Sequence, residues 1–439
     1  MKSILQKAAA NYGMIGVLLL LCVYFSAMTY TDQSPAGAAG AKQVAAELAR
    51  LGGAPQVLLV SSDQPEDLEF VTSLAKELPA SGSRVVAAAR GEPQVAREAL
   101  QKLAAAGTRL DAIACTQTAG AWLLFADLAV DFPELGSPRL ITPRSYRWPN
   151  FLKAENLLNI ANQIAVIAIM AIGMTLVIVT GGIDLSVGSL LALSAVLAAR
   201  FIRDEAGGVA ASPMGMILAC LGAVGACGLV GAFSGWMITR FRIPPFIVTL
   251  EMMLVGSGCA FILADGQSIY QLPDSFIWLG RGVCFGGVPN AVVLMFLLYG
   301  LAHLVMSRMK AGRYLYAVGG NSEAARLSGV PLTRVLMGAY IVSALLAGLG
   351  GVIMASQLKS GSATYGNMYE LYVIAAVVVG GTSLSGGEGK MSGTLVGAFT
   401  IAVIQNGMNL RNVESYTQKV VLGLVILGAV LLDKMRHRA

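Results

Sequence analysis

The sequence predicts an α-helical polytopic membrane protein of about ten transmembrane helices, with a small inserted α/β domain. Composition decides the first part. Hydrophobic residues make up 56% of the 439 residues and charged ones only 13%, with a mean hydropathy of +0.68. Soluble domains carry about a quarter charged residues, so this chain has too little polar surface for a soluble globule. Patterning decides the rest. Apolar runs of membrane-crossing length recur through most of the chain, whereas residues 31–142 alternate short apolar runs with amphipathic stretches.

Taken in order, Lys2 and Lys7 precede an apolar run from Tyr12 to about Met28. A cleaved signal peptide has the same charged start, but its apolar core is roughly 7–15 residues and a small-residue cleavage site follows closely. Residues 1–30 therefore read as a cytoplasmic N-terminus and an uncleaved first span. Residues 31–149 change character. Thr31–Gly40 is a small-residue linker; Gln56–Ser61, Arg84–Ala89 and Leu110–Cys115 read as strands, with Arg139–Thr142 as a candidate fourth. Asp67–Leu78, Pro93–Ala106 and Ala119–Phe132 read as the helices between them. Alternating strand and helix predicts a doubly wound parallel sheet. VSSDQPED follows the first strand where a dinucleotide fold would carry Gly-x-Gly-x-x-Gly, which argues against nucleotide binding there. The domain reads either as a sensor or docking module or as a spacer.

Residues 150–439 hold nine further apolar runs: 157–180, 185–202, 213–239, 244–264, 289–307, 335–356, 370–382, 392–409 and 418–432. The run 370–382 is short enough for a tilted or partial helix. Together with the first span they place both termini in the cytoplasm. The basic residues agree, because Arg240, Arg242, Arg308, Lys310, Arg313, Arg326, Arg334, Lys390, Lys434, Arg436 and Arg438 then fall inside. Arg203, Arg281, Lys359 and Arg411 fall in outer loops. The net charge of +6 is thus a topology signal, and no aromatic-interleaved basic stripe points to nucleic acid. Six cysteines without Cys-x-x-Cys spacing, and only His303 and His437, give neither a disulfide framework nor a metal or His-based catalytic centre.

The chain is organised around Ile164–Ala199, two apolar runs flanking Gly181-Gly182-Ile183-Asp184-Leu185-Ser186. The glycine pair frees the backbone, and Asp184 or Ser186 is a good N-cap for the helix that follows. Ile374–Ile401 echoes it: Gly-Gly-x-x-Leu-Ser-x-Gly recurs at Gly380 and Gly381, which suggests an internal duplication with hinges at corresponding positions. Two unrelated glycine-rich hairpins are the alternative. Leu384–Glu388 followed by Gly389-Lys390 imitates ATPase motifs, but Met391 follows the lysine where a phosphate loop needs Ser or Thr. Gly312–Val330 is the longest polar stretch of this half, with a short helix Ser322–Leu327 capped by Asn321 or Ser322. Polar groups inside spans are costly and so mark candidate sites: Asn162, Gln163, Thr249, Glu251, Gln405, Asn406 and Asn409. Neutral amides suit polyol hydroxyls, which want donors and acceptors without charge. Bonding between helices is the competing account for each.

The block 164–199 resembles the permease subunits of ribose-type ABC sugar importers. The resemblance runs through Ile243–Leu250 (IPPFIVTL), Gly312–Val330 (GRYLYAVGGNSEAARLSGV), Ala375–Ala398 and the C-terminal QNGMNL and VVLGLVILGAVLLDK. It covers the first span and residues from about 150 onward, leaving out 31–142. Asp111–Trp122 (DAIACTQTAGAW) is similar to one lobe of a periplasmic sugar-binding protein. The resemblance implies a permease that is not itself an enzyme. It implies an inner-membrane assembly with a second permease copy or a related one, two cytoplasmic ATPase subunits that hold ATP-Mg, and a binding protein. This chain would bind no cofactor. It also implies a coupling helix in 312–330, with docking carried by Gly320, Asn321, Glu323, Ala324, Arg326 and Gly329. Asp184, Ser186, Asn162, Gln163, Glu251, Gln405, Asn406 and Asn409 are path candidates, and Gly181, Gly182, Gly380 and Gly381 hinges. Two departures matter: Glu251 stands where relatives carry a small or apolar residue, and Tyr372 replaces an acidic one after Glu370-Leu371. Two rival functions remain. An ion-coupled carrier would use Glu251 and Asp184; a receptor would sense through residues 43–142.

Overall fold

In the computed structural model, which describes residues 2–79, 82–284 and 286–436, the chain forms two compact units. One comprises the residues up to Thr29 and those from Asn150 onward; the other is Tyr30–Pro149. Helix α1 (Lys2–Met28) opens the first unit.

The second unit starts with β1 (Tyr30–Gln33) and α2 (Gly37–Ala49), where the sequence suggested a linker. Then follow β2 (Gln56–Ser61), α3 (Pro65–Glu77), β3 (Arg84–Arg90), α4 (Pro93–Ala105) and β4 (Ala112–Cys115). The single helix expected over Ala119–Phe132 is instead two one-turn pieces, α5 (Gln117–Gly120) and α6 (Leu128–Asp131), joined by one 3-10 turn. Strands β5 (Arg139–Ile141) and β6 (Tyr146–Pro149) complete it. The sheet is parallel in the order β3-β2-β4-β5, while β1 and β6 pair antiparallel as a separate ribbon. Strand period 2 builds its two cores: Val57 and Leu59 face α2 and α3, and Leu58 and Val60 face the α4 side. Asp67 ties two strand ends together, its Oδ2 accepting from Ser62 N (3.1 Å), Ser62 Oγ (2.6 Å) and Thr116 Oγ1 (3.2 Å). Burial pushes the Cys115 thiol up to about 12, so this cysteine is a core residue and not a reactive one.

The first unit resumes with α7 (Ala154–Val179), α8 (Val187–Asp204), α9 (Pro213–Phe241) and α10 (Pro245–Leu263). A short α11 (Trp278–Arg281) and a tight hairpin, β7 (Val283–Cys284) with β8 (Val288–Pro289), lead into α12 (Asn290–Arg308). Then come α13 (Lys310–Gly320), α14 (Ser322–Leu327), α15 (Leu332–Leu358), α16 (Tyr369–Val379), α17 (Met391–Leu410) and α18 (Ser415–Arg436). Among the described residues five helices are long and apolar enough to cross a membrane: α7, α9, α10, α12 and α15. Helix α8 carries Arg200, Arg203 and Asp204 near its end, and α17 is diluted by Gln405, Asn406 and Asn409. At 11 residues α16 extends only about 16 Å, half a hydrocarbon core, so it is a partial helix. Helix α7 is the hub, buried along Ile164–Val179 and enclosed by α12, α15, α16 and α17.

Candidate functional site

Both glycine-rich breaks end a helix in the same way. Gly181 N–H donates to Ile178 O and Gly182 N–H to Val177 O; Gly381 N–H donates to Val378 O and Thr382 N–H to Val377 O. Gly181 and Gly381 hold the left-handed φ that such a stop requires (81° and 86°). The structural register therefore pairs Gly181 with Gly381, whereas the Gly-Gly-x-x-Leu-Ser motif pairs Gly181 with Gly380. The motif is thus offset by one residue from the helix ends, and the second break is the longer of the two, α17 starting only at Met391.

Asp184 is buried, with 2% exposure. Its Oδ1 accepts from Ser186 N (3.0 Å) and Ser186 Oγ (2.6 Å), and its Oδ2 accepts from Ser343 Oγ (2.8 Å). Neither expected cap forms as an N-cap bond. Ser186 occupies the cap position, but its hydroxyl donates to Asp184 instead of accepting from the first turn of α8. Asp184 thus locks the hairpin to α15.

The two breaks meet each other and the polar 312–330 stretch. Val179 O, left without an intrahelical partner at the end of α7, accepts from Gly387 N (2.9 Å). Gly319, at the end of α13, lies against the same two groups: a Cβ there would stand 1.7 Å from Val179 O and 2.5 Å from Gly387 N. A Cβ on Gly386 would come within 3.0 Å of both Gly181 N and Gly319 O. Tyr316 adds a hydroxyl bond to Gly389 O (2.6 Å). The stretch around Gly319 is itself helical, where the sequence suggested only Ser322–Leu327. Asn321 caps α14, its Oδ1 accepting from Ala324 N (2.9 Å), and Glu323 pairs with Arg326 (2.9 Å) on an exposed face. Gly320, Ala324 and Gly329 complete this segment.

The polar span residues separate into three groups. Gln163 and Gln405 come together in a cavity of about 310 Å³ between α7, α15, α16 and α17, also lined by Gln357, Tyr369 and Tyr372. Asn162 lies beside it: its backbone carbonyl accepts from Gln357 Nε2 (3.3 Å), its Nδ2 donates to Gly280 O (3.5 Å), and its buried Oδ1 has no partner among the described residues. Asn406 and Asn409 form helix-to-helix bonds. Asn406 exchanges two bonds with Asn156 (2.8 and 3.1 Å), and Asn409 accepts from Gln418 (2.8 Å). Glu251 stands apart, exposed on α10, with no ion pair among the described residues. Thr249 bonds to Ile183 O (3.2 Å), fastening α10 to the first break. A second cavity, about 330 Å³, holds Ser189, Ser257, Asn367 and Glu370. Sequence reasoning missed Gln357 and Tyr369, which lie one residue outside the runs 335–356 and 370–382 but inside α15 and α16. It also missed Gly319, which nothing local distinguishes from its neighbour Gly320.

A family profile described as "Branched-chain amino acid transport system / permease component" matches residues 156–430. The chain belongs to this permease family. The ribose import permease of Escherichia coli K12 is 43% identical over 293 residues, which is 66% of this chain and 88% of that protein. The ribose import permease of Bacillus subtilis strain 168 is 43% identical over 306 residues, 69% of this chain and 92% of that protein. The L-arabinose ABC transporter permease of Azospirillum brasilense is 35% identical over 292 residues, 66% of this chain and 83% of that protein. No solved structure matches the chain. This permease is a membrane-embedded transport subunit and not an enzyme.

Proposed function

We propose that this permease imports a sugar, or a similar small polyol, as the membrane subunit of an ATP-driven importer. Ribose, arabinose and allose permeases among its relatives support the substrate class. Two cytoplasmic ABC ATPase subunits hold and hydrolyse ATP-Mg, a periplasmic sugar-binding protein delivers the substrate, and a second permease copy, identical or related, completes the membrane part. The chain crosses the inner membrane ten times with both termini in the cytoplasm, and Tyr30–Pro149 lies outside. The hairpins and α13–α14 then share the cytoplasmic end.

The observation that carries this reading is the backbone contact of Gly319 with Val179 and Gly387. A segment that docks on an ATPase through Asn321, Glu323, Ala324 and Arg326 is thereby joined to both broken helices within a few residues. ATP-driven closure of the ATPase pair pulls on 312–330 and moves both breaks together, with Gly181, Gly182, Gly380 and Gly381 as hinges. Substrate passes Asn162, Gln163 and Gln405, with Asp184, Ser186 and Glu251 nearer the cytoplasmic end. Asn406 and Asn409 hold the wall of that path. Asp184 has both oxygens engaged in holding the first break to itself and to α15, a structural role.

The test is purification in mild detergent of the tagged permease and of a Glu323→Ala/Arg326→Ala variant, identifying every co-purifying chain. The expected result is an ATPase subunit with the parent and none with the variant. An intact permease preparation without any ATPase chain, active in uptake under an imposed proton gradient, would replace this reading with the carrier; sugar binding by residues 43–142 without transport would replace it with the receptor.

A further inference from the structure

The cavity between α7, α15, α16 and α17 has a lining that a membrane protein does not keep without reason. Gln163 and Gln405 make no side-chain hydrogen bond among the described residues, nor do the hydroxyls of Tyr369 and Tyr372; Gln357 uses one N–H on Asn162 O. Gln163 is exposed and the other four are half-buried, so their free donors and acceptors face a space that water or a ligand can enter. Five polar side chains from four helices converge on that one space. At about 310 Å³ it stands at the small end of ligand pockets, which run from roughly 300 to 1,000 Å³.

The chemistry of the lining is selective. Three amides supply N–H donors and carbonyl acceptors, and two phenols supply hydroxyls that do both. No acidic or basic side chain lines the space. The rings of Tyr369 and Tyr372 meet edge to face, 6.1 Å apart at 70°, and add apolar ring surface with polar tips to one side of the cavity. A pyranose or furanose has that same division, C–H groups on a face and hydroxyls around the rim. An amino-acid zwitterion, a sugar acid or a sugar phosphate would bring charge into a site with no counter-charge.

We infer that this cavity is a binding station for one uncharged monosaccharide, with Tyr372 and Tyr369 as its aromatic side and Gln163, Gln357 and Gln405 as the hydroxyl contacts. It rests on the proposed sugar import and adds where the sugar binds and which residues select it. Along α7 the station lies about 18 Å from the first glycine break, counting from Ile167 to Val179, so it is a stop ahead of the joint.

The test uses the assembled importer in proteoliposomes, with labelled D-ribose, L-arabinose, D-allose and L-leucine as probes. Gln405→Leu and Tyr372→Ala are expected to raise the KM for the transported sugar at least tenfold and to change its ranking among the three sugars; Tyr372→Phe keeps the ranking. Assembly is checked by co-purification. In parallel, Gln163→Cys is labelled with methyl methanethiosulfonate, judged against the parent chain's own cysteines. The transported sugar is expected to slow labelling at least threefold, and leucine to leave it unchanged. Parental KM and ranking in assembled variants, or labelling at an unchanged rate with sugar present, would overturn the station while leaving sugar import intact. A parent that carries leucine and no sugar would overturn both.

Discussion

The glycine joint and the amide cavity lie in one helical bundle and treat polar groups in opposite ways. At the joint, backbone groups and short polar side chains bond to one another at contact distance: Val179 O with Gly387 N, Gly389 O with Tyr316, and Asp184 with Ser186 and Ser343. No space remains there for a single added carbon at Gly319. At the cavity the polar groups are side chains, most have no partner, and there is room for a small molecule. Closely fitted backbone transmits a displacement, because packed interfaces shift between discrete arrangements instead of deforming smoothly. Uncommitted side chains around a void can accept a ligand and release it. The same fold thus separates rigidity from recognition.

The sharpest way to break this contrast is at Gly319. Gly319→Ala is expected to abolish transport and cost about 4 kcal/mol or more, read as a lost or strongly lowered melting transition in detergent. Gly320→Ala, whose Cβ would meet nothing within 4 Å, is expected to melt like the parent. Equal behaviour of the two would refute a close-fitted joint. Next in size is Asp184→Ala, which orphans the Ser343 and Ser186 donors. It is expected to cost roughly 1–3 kcal/mol per group left unpaired and to lower the melting temperature well below that of Asp184→Asn. A parental melting temperature for Asp184→Ala would free that carboxylate for another role.

Smaller effects sharpen the boundary between wall and station. Asn156→Ala and Asn406→Ala, singly and together, are expected to show a coupling of about 0.6 kcal/mol in an unfolding cycle, the usual scale for a hydrogen bond between membrane helices. Such a value, with sugar KM unchanged, would keep Asn406 in the wall. A KM shift without coupling would move it into the path. The smallest stability effect is expected for Glu323→Ala/Arg326→Ala, because exposed ion pairs contribute about 0–1 kcal/mol. Its readout is the loss of ATPase co-purification with an unchanged melting temperature.

Much of this permease is determined by its sequence alone. Apolar run length and the positions of Gly and Pro place α7, α8, α9, α10, α12, α15, α16, α17 and α18 to within a few residues, since a bilayer demands closed backbone bonding over a known thickness, whereas α11 and α13 were not legible. Strand period and turn residues likewise located β2, β3 and β4. The Asn321 cap and the Glu323–Arg326 pair were legible because their partners are three residues apart. Helix α2, the β1–β6 ribbon and the break between α5 and α6 were not. Gln33 and Tyr146 pair across more than a hundred residues, and short weak segments take their form from what they pack against. The same holds at the two sites. A Gly-Gly-x-x-Leu-Ser motif marks both breaks, yet only the fold placed the register one residue away and brought Gly319 against them. Five glutamines and asparagines in spans looked alike as letters. Tertiary structure alone turned Gln163 and Gln405 into a shared void and paired Asn406 and Asn409 with neighbouring helices, because whether an amide is free or bonded depends on a partner from a distant part of the chain.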